Sequence, residues 1–141
     1  MKLYKSAMVK KENTLNIKNI NVTNIFTLVD LSISTSKIKS DINFIKNYDP
    51  SIPEFKLDAS SFIKTLNQIF DAFKGNKNVS CSILLKICEY VKIDEKKYSL
   101  ISVEISTDKE NDFSSLNIKE NNSFILTKDD TKVTIDLPLI L

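Results

Sequence analysis

The chain has 141 residues, 42% hydrophobic and 27% charged, with a net charge of +2. That length and balance fit a single globular domain over 1–141 with a sizeable core, and exclude a disordered chain. The absences exclude more: there is no histidine and no tryptophan, all 20 basic residues are lysine, and Gly75 is the one glycine.

Without histidine, the side chain that most often moves protons near neutral pH and binds metals is missing. One glycine cannot build a glycine-rich phosphate loop. Lacking arginine, the chain has no bidentate fork for phosphate or carboxylate. Abundant Ile (19), Lys (20) and Asn (14) point to a low-GC genome or a mobile element. Residues 1–46 hold eight lysines against Glu12, Asp30 and Asp41, a net +5, and residues 47–141 carry a net −3. A basic amino-terminal half offers a face for an acidic protein or for nucleic acid.

In chain order, residues 3–11 and 14–20 are expected to form strands. In 22–34, Val22, Ile25, Phe26, Val29 and Ile33 fit a helix while the β-branched residues and threonines favour a strand, so the assignment stays open with a slight preference for strand. Ile38, Ile42 and Ile45 predict a short helix over 36–47. Pro50 and Pro53 then break the chain, because each removes an amide donor and restrains its predecessor. The strongest element is a helix over 58–75. Phe62, Leu66, Ile69, Phe70 and Phe73 line one face, Asp58 or Ser60 caps the start, and Gly75 stops it.

Downstream the period falls to two. Residues 79–91 alternate, yet Leu84, Cys88 and Val91 also fit a helix, so both assignments stay open. Ile101, Val103 and Ile105 predict a strand, and 116–119, 123–128 and 132–137 a meander with one solvent face. Asn121-Asn122 and Asp129-Asp130 supply the tight turns. The predicted fold is α+β, an antiparallel sheet with a C-terminal meander packed on one or two helices, without βαβ alternation.

No motif carries catalysis. Ser-x-x-Lys spacing occurs at Ser34/Lys37, Ser36/Lys39, Ser61/Lys64 and Ser106/Lys109, near its chance frequency and without companion motifs. The acids of 108–112 lack calcium-loop spacing and its glycine. Cys81 and Cys88 are too far apart in regular structure for a disulfide and read as small buried hydrophobes. No apolar run is long enough for a signal peptide or a membrane span, so the expected compartment is the cytoplasm.

The resulting expectation is a non-enzymatic protein-binding module, such as an immunity protein, an inhibitor or a small assembly subunit, with no cofactor and no metal. Its partner would be another protein, engaged through Tyr4, Tyr48, Tyr90 and Tyr98 as anchors with Lys10 and Lys11 at the rim. The alternative is a nucleic-acid-binding accessory protein, using Lys2, Lys5, Lys10, Lys11 and Lys18 with Tyr4 stacking on a base.

Overall fold

A computed structural model describes residues 20–36, 42–73, 75–111, 113 and 124–141. Its elements are β1 (Asn21–Thr23), α1 (Ile25–Thr35), β2 (Asn43–Tyr48), β3 (Phe55–Leu57), α2 (Ala59–Ala72), β4 (Asn78–Ile93), β5 (Lys96–Thr107), β6 (Ile125–Lys128) and β7 (Lys132–Pro138). The expected strands 3–11 and 14–20, the strand 116–119 and the Asn121-Asn122 turn lie outside the described residues.

Among the described residues the fold is α+β, with two helices packed on a five-stranded sheet ordered β2-β4-β5-β7-β6; β1 and β3 form a separate antiparallel pair. Side-chain alternation builds the core. Cys81, Ile105 and Val133 sit in register across β4, β5 and β7, and Ile83, Val103 and Ile135 repeat the row one step along. These side chains meet Leu28, Val29 and Ile33 of α1 and the apolar stripe of α2 in a single buried cluster. The opposite face of β4 and β5 carries Ser80, Ser82, Ser102 and Ser106, the period-two signature of a sheet covered by helices on one side.

The helix at 58–75 forms as its stripe requires. Asp58 caps it, its Oδ1 accepting from the Ser61 amide at 3.1 Å. Phe62, Leu66, Ile69 and Phe70 are buried, and Gly75 beyond the last turn has φ +98°, the left-handed conformation that a glycine adopts without penalty.

Several expectations are corrected. The open assignment at 22–34 resolves as helix over 25–35, against the slight preference for strand: the Asn24 side chain accepts from the Thr27 amide at 3.1 Å, and burial of Ile25, Leu28, Val29 and Ile33 outweighs β-branched propensity. Residues 43–48 are strand, not helix. Phe44 packs edge-on against Phe70 with ring centroids 5.7 Å apart, while Ile45, counted as part of an apolar helical face, is 50% exposed.

The sheet is mixed rather than antiparallel, because β2 pairs with β4 in parallel across the connection that contains α2. A β-α-β unit is therefore present. Finally, β7 is buried on both faces from Val133 to Pro138, and Thr134 and Asp136 occupy the side expected to be solvated. Asp136 lies 3.6 Å from Lys86, and burial pushes its carboxyl above the ordinary range while Lys86 opposes that shift.

The open assignment at 79–91 resolves as strand, interrupted by a bulge. Leu85 faces Ile101 and Tyr90 faces Ser99, so residues 86–89 stand opposite Leu100 alone. Within the bulge Cys88 is exposed with φ +64°, contrary to its expected burial. Cys81 is buried, and desolvation pushes its thiol up to about 12.

Candidate functional site

The site grows out of the amphipathic character of α2. With its phenylalanine stripe turned to the sheet, Asn67, Gln68 and Asp71 fall on the outer side and are exposed. Asn67 and Asp71 are one helical turn apart and therefore neighbours on that face. Helix α1 packs beside α2 through its own buried stripe, and its last residue Thr35 with its C-cap Ser36 reaches the same place. Thr35, Ser36, Asn67, Gln68 and Asp71 line a cleft of about 370 Å³, within the size range of small-molecule sites.

All of those side chains bear oxygen, and one is a carboxylate. Carboxylate, amide and hydroxyl oxygens are hard donors that suit magnesium over soft transition metals. The carboxyl end of α1 adds the negative end of a helix dipole, which favours a cation. Among the described lining residues none is basic. Gly75 does not form a phosphate cradle either: an added Cβ would meet nothing within 4 Å, so its absent side chain serves the helix end and not a close approach. Among the described residues no three acidic or cysteine side chains converge on a metal-sized site.

None of the expected anchors that fall among the described residues lines this cleft. Tyr4, Lys10 and Lys11 lie outside the described residues. Tyr48 is half-buried, stacks on Phe26 at 5.5 Å and donates to Asp30 Oδ1 at 2.9 Å; burial and that acceptor raise its phenol well beyond the ordinary range. Tyr90 lies under Lys97 Nζ, 4.7 Å from the ring centroid. Tyr98 packs on the small cluster of Val91, Ile93 and Leu100. Since Tyr98 pairs with Val91, it and Tyr90 point to opposite faces of the hairpin.

Asp129 is a turn residue, as read from the sequence. It accepts from the amides of Thr131 and Lys132 at 2.8 and 3.0 Å, and these bonds hold its carboxyl below its usual value. Asn67, Gln68 and Asp71 were missed as a site. Their signal was the polar side of the very helix whose apolar side was recognised.

No family model matches this sequence, and no curated protein matches it. Solved structures do match. The Acinetobacter baumannii histidine kinase AdeS aligns with a TM-score of 0.61 at 9% identity, over 95% of this chain and 78% of that one. The mycobacterial sensor histidine kinase MprB gives 0.56 at 12% identity, over 85% and 97%. The catalytic domain of the histidine kinase ThkA gives 0.52 at 11%, over 86% and 96%. The likeness is one of fold.

It overturns the expected non-enzymatic binding module, and with it the immunity, inhibitor and assembly-subunit assignments. The architecture is similar to that of kinase catalytic domains. The expectation of a non-enzyme is corrected on the same ground: absence of histidine and of a glycine-rich loop excludes particular motifs, whereas a fold can be shared at 9–12% identity.

Proposed function

We propose that this chain is a catalytic-type domain of the histidine-kinase kind, which binds a nucleoside triphosphate with magnesium in the α1–α2 cleft. The observation that carries this reading is the fold likeness to three histidine kinases over most of both partners in each alignment. The donor set fits. Asp71 and Asn67 would hold the cation, and Thr35, Ser36 and Gln68 would supply hydrogen bonds to the nucleotide. When bound, magnesium supplies the positive charge that neutralises phosphate oxygens. The chain's own contribution is a polar, charge-selective cleft built on two rigid helices. With no arginine in the chain, no guanidinium shares the phosphate charge, and nucleotide binding is expected to depend on the cation.

The chain contains no histidine, so a phosphorylated histidine must be presented by another polypeptide segment. We read the partner as the protein segment that carries such a histidine, and the proposed location is the cytoplasm, where nucleoside triphosphates are held. No helix among the described residues is long and apolar enough to cross a membrane. Titration calorimetry with ATP and magnesium is the test. Binding that disappears on chelation, and that weakens about tenfold or more in Asp71→Ala with the fold retained, supports the reading. A folded wild-type protein that takes up no nucleotide at millimolar ATP and magnesium refutes it.

A further inference from the structure

We infer that Asn76 is a positioning residue, which fastens the stretch following β5 to the carboxyl end of α2 so that residues 107–111 and the cleft helix move as one body. Only the consequence of this clasp at the cleft rests on the nucleotide reading above; the clasp itself stands on its own geometry.

Asn76 is 3% exposed, and a buried primary amide must have its hydrogen-bonding capacity met. It is met by three residues from two separate parts of the chain. Nδ2 donates to the Phe73 carbonyl at 2.9 Å and to Asn111 Oδ1 at 3.0 Å. Oδ1 accepts from the Thr107 hydroxyl at 3.0 Å, a hydroxyl that also lies 3.1 Å from the Asn78 carbonyl. A residue that merely ended the helix would need the Phe73 contact alone. The bonds to Asn111 and Thr107 cross 35 and 31 residues of sequence and have no local purpose.

The far side of the clasp is itself tied down. Asn111 donates its amide to the Asp130 carbonyl at 2.8 Å, and Thr107 donates its own to the Thr131 carbonyl at 2.9 Å. Lys109 Nζ reaches the Gly75 carbonyl at 3.4 Å. Beside these bonds the ring of Phe113 rests on Phe73, centroids 5.0 Å apart. The end of α2, the segment after β5 and the β6–β7 turn thus converge on one amide. Asp71 lies two residues before Phe73, so a displacement of 107–111 reaches the cleft carboxylate through half a helical turn.

Native-state hydrogen exchange on the full chain decides this. Asn76→Asp keeps the volume and the acceptor for Thr107 but loses both donors. The amides of Thr107 and Asn111 are expected to exchange about tenfold or more faster in this variant, while the sheet amides of Val103 and Ile135 change much less. Thr107→Val, a milder change at a half-buried hydroxyl, should reproduce the local effect, and Thr107→Ser should restore wild-type protection. Equal acceleration at all four amides, or unchanged protection at Asn111, overturns the clasp.

The second readout is affinity for ATP and magnesium, expected to fall about fivefold or more in Asn76→Asp. Equal affinity in wild type and Asn76→Asp overturns the coupling to the cleft. If the wild type binds no nucleotide, the proposed function fails, and the exchange data still decide the clasp.

Discussion

Truncating Phe70 to alanine tests whether α2 is the keystone of the core. Phe70 is fully buried and takes the edge of Phe44 at 5.7 Å with the planes at 80°. Removing a buried phenylalanine costs about 3–5 kcal/mol in lost transfer energy and residual cavity. An edge-on aromatic pair contributes roughly 0.5–1.5 kcal/mol beyond its area, which places Phe70→Ala in the upper part of that range. A domain of this size has about 5–15 kcal/mol in hand, so the variant should fold but with a much lower urea midpoint. Because Phe44 lies on β2 and Phe70 on α2, the loss also measures how firmly the parallel edge strand is held. Equilibrium urea unfolding, with the slope compared as well as the midpoint, is the assay. Phe70→Leu, expected to cost about 1.5 kcal/mol or less, keeps the test available if the alanine variant fails to fold. A loss below about 1 kcal/mol for Phe70→Ala, with an unchanged slope, would mean that the stripe is not the core contact described.

The Lys86–Asp136 pair should show itself in pH dependence. The Asp136 carboxyl is raised above its ordinary 3.8 in the fold, so the native state binds the extra proton, and stability falls as pH rises from about 4 through the folded value. Urea midpoints against pH should therefore flatten over that limb in Asp136→Asn. In Lys86→Met the cost should be several kcal/mol near pH 7, where the buried carboxylate is left alone, and smaller near pH 4. Asp58→Ala removes the α2 cap and should cost about 1 kcal/mol in the same unfolding experiment. Gly75→Ala should cost roughly 1–2 kcal/mol from backbone conformation, since the space for a Cβ is open, and Gly75→Asn should cost less.

What could be read from the sequence depended on whether local pattern and tertiary context agreed. The α2 stripe, its Asp58 cap and its Gly75 stop all pointed the same way and were legible. So were β5, β7 and the Asp129 turn, where alternation of two is unmixed. Helix α1 stays ambiguous in the sequence because Ile25, Val29 and Ile33 carry β propensity while burying a helical face, a choice that packing against α2 decides. Strand β2 was misread because Ile38, Ile42 and Ile45 mimic helical spacing, although its place in the sheet is set by parallel pairing to a strand 35 residues away. The cleft was illegible for a different reason. Asn67, Gln68 and Asp71 look like any solvated helix face until the end of α1 is brought alongside them, and the same holds for Asn76, two of whose three partners lie more than 30 residues off. The fold likeness itself has no counterpart in sequence at 9–12% identity.

Amide chemical-shift mapping with ATP and magnesium reads nucleotide binding at the α1–α2 cleft residue by residue. Shifts should concentrate on Thr35, Ser36, Asn67, Gln68 and Asp71, vanish on chelation, and be lost in Asp71→Ala. No shifts at millimolar nucleotide, or shifts confined to the β4–β5 hairpin beyond Tyr90, would contradict it.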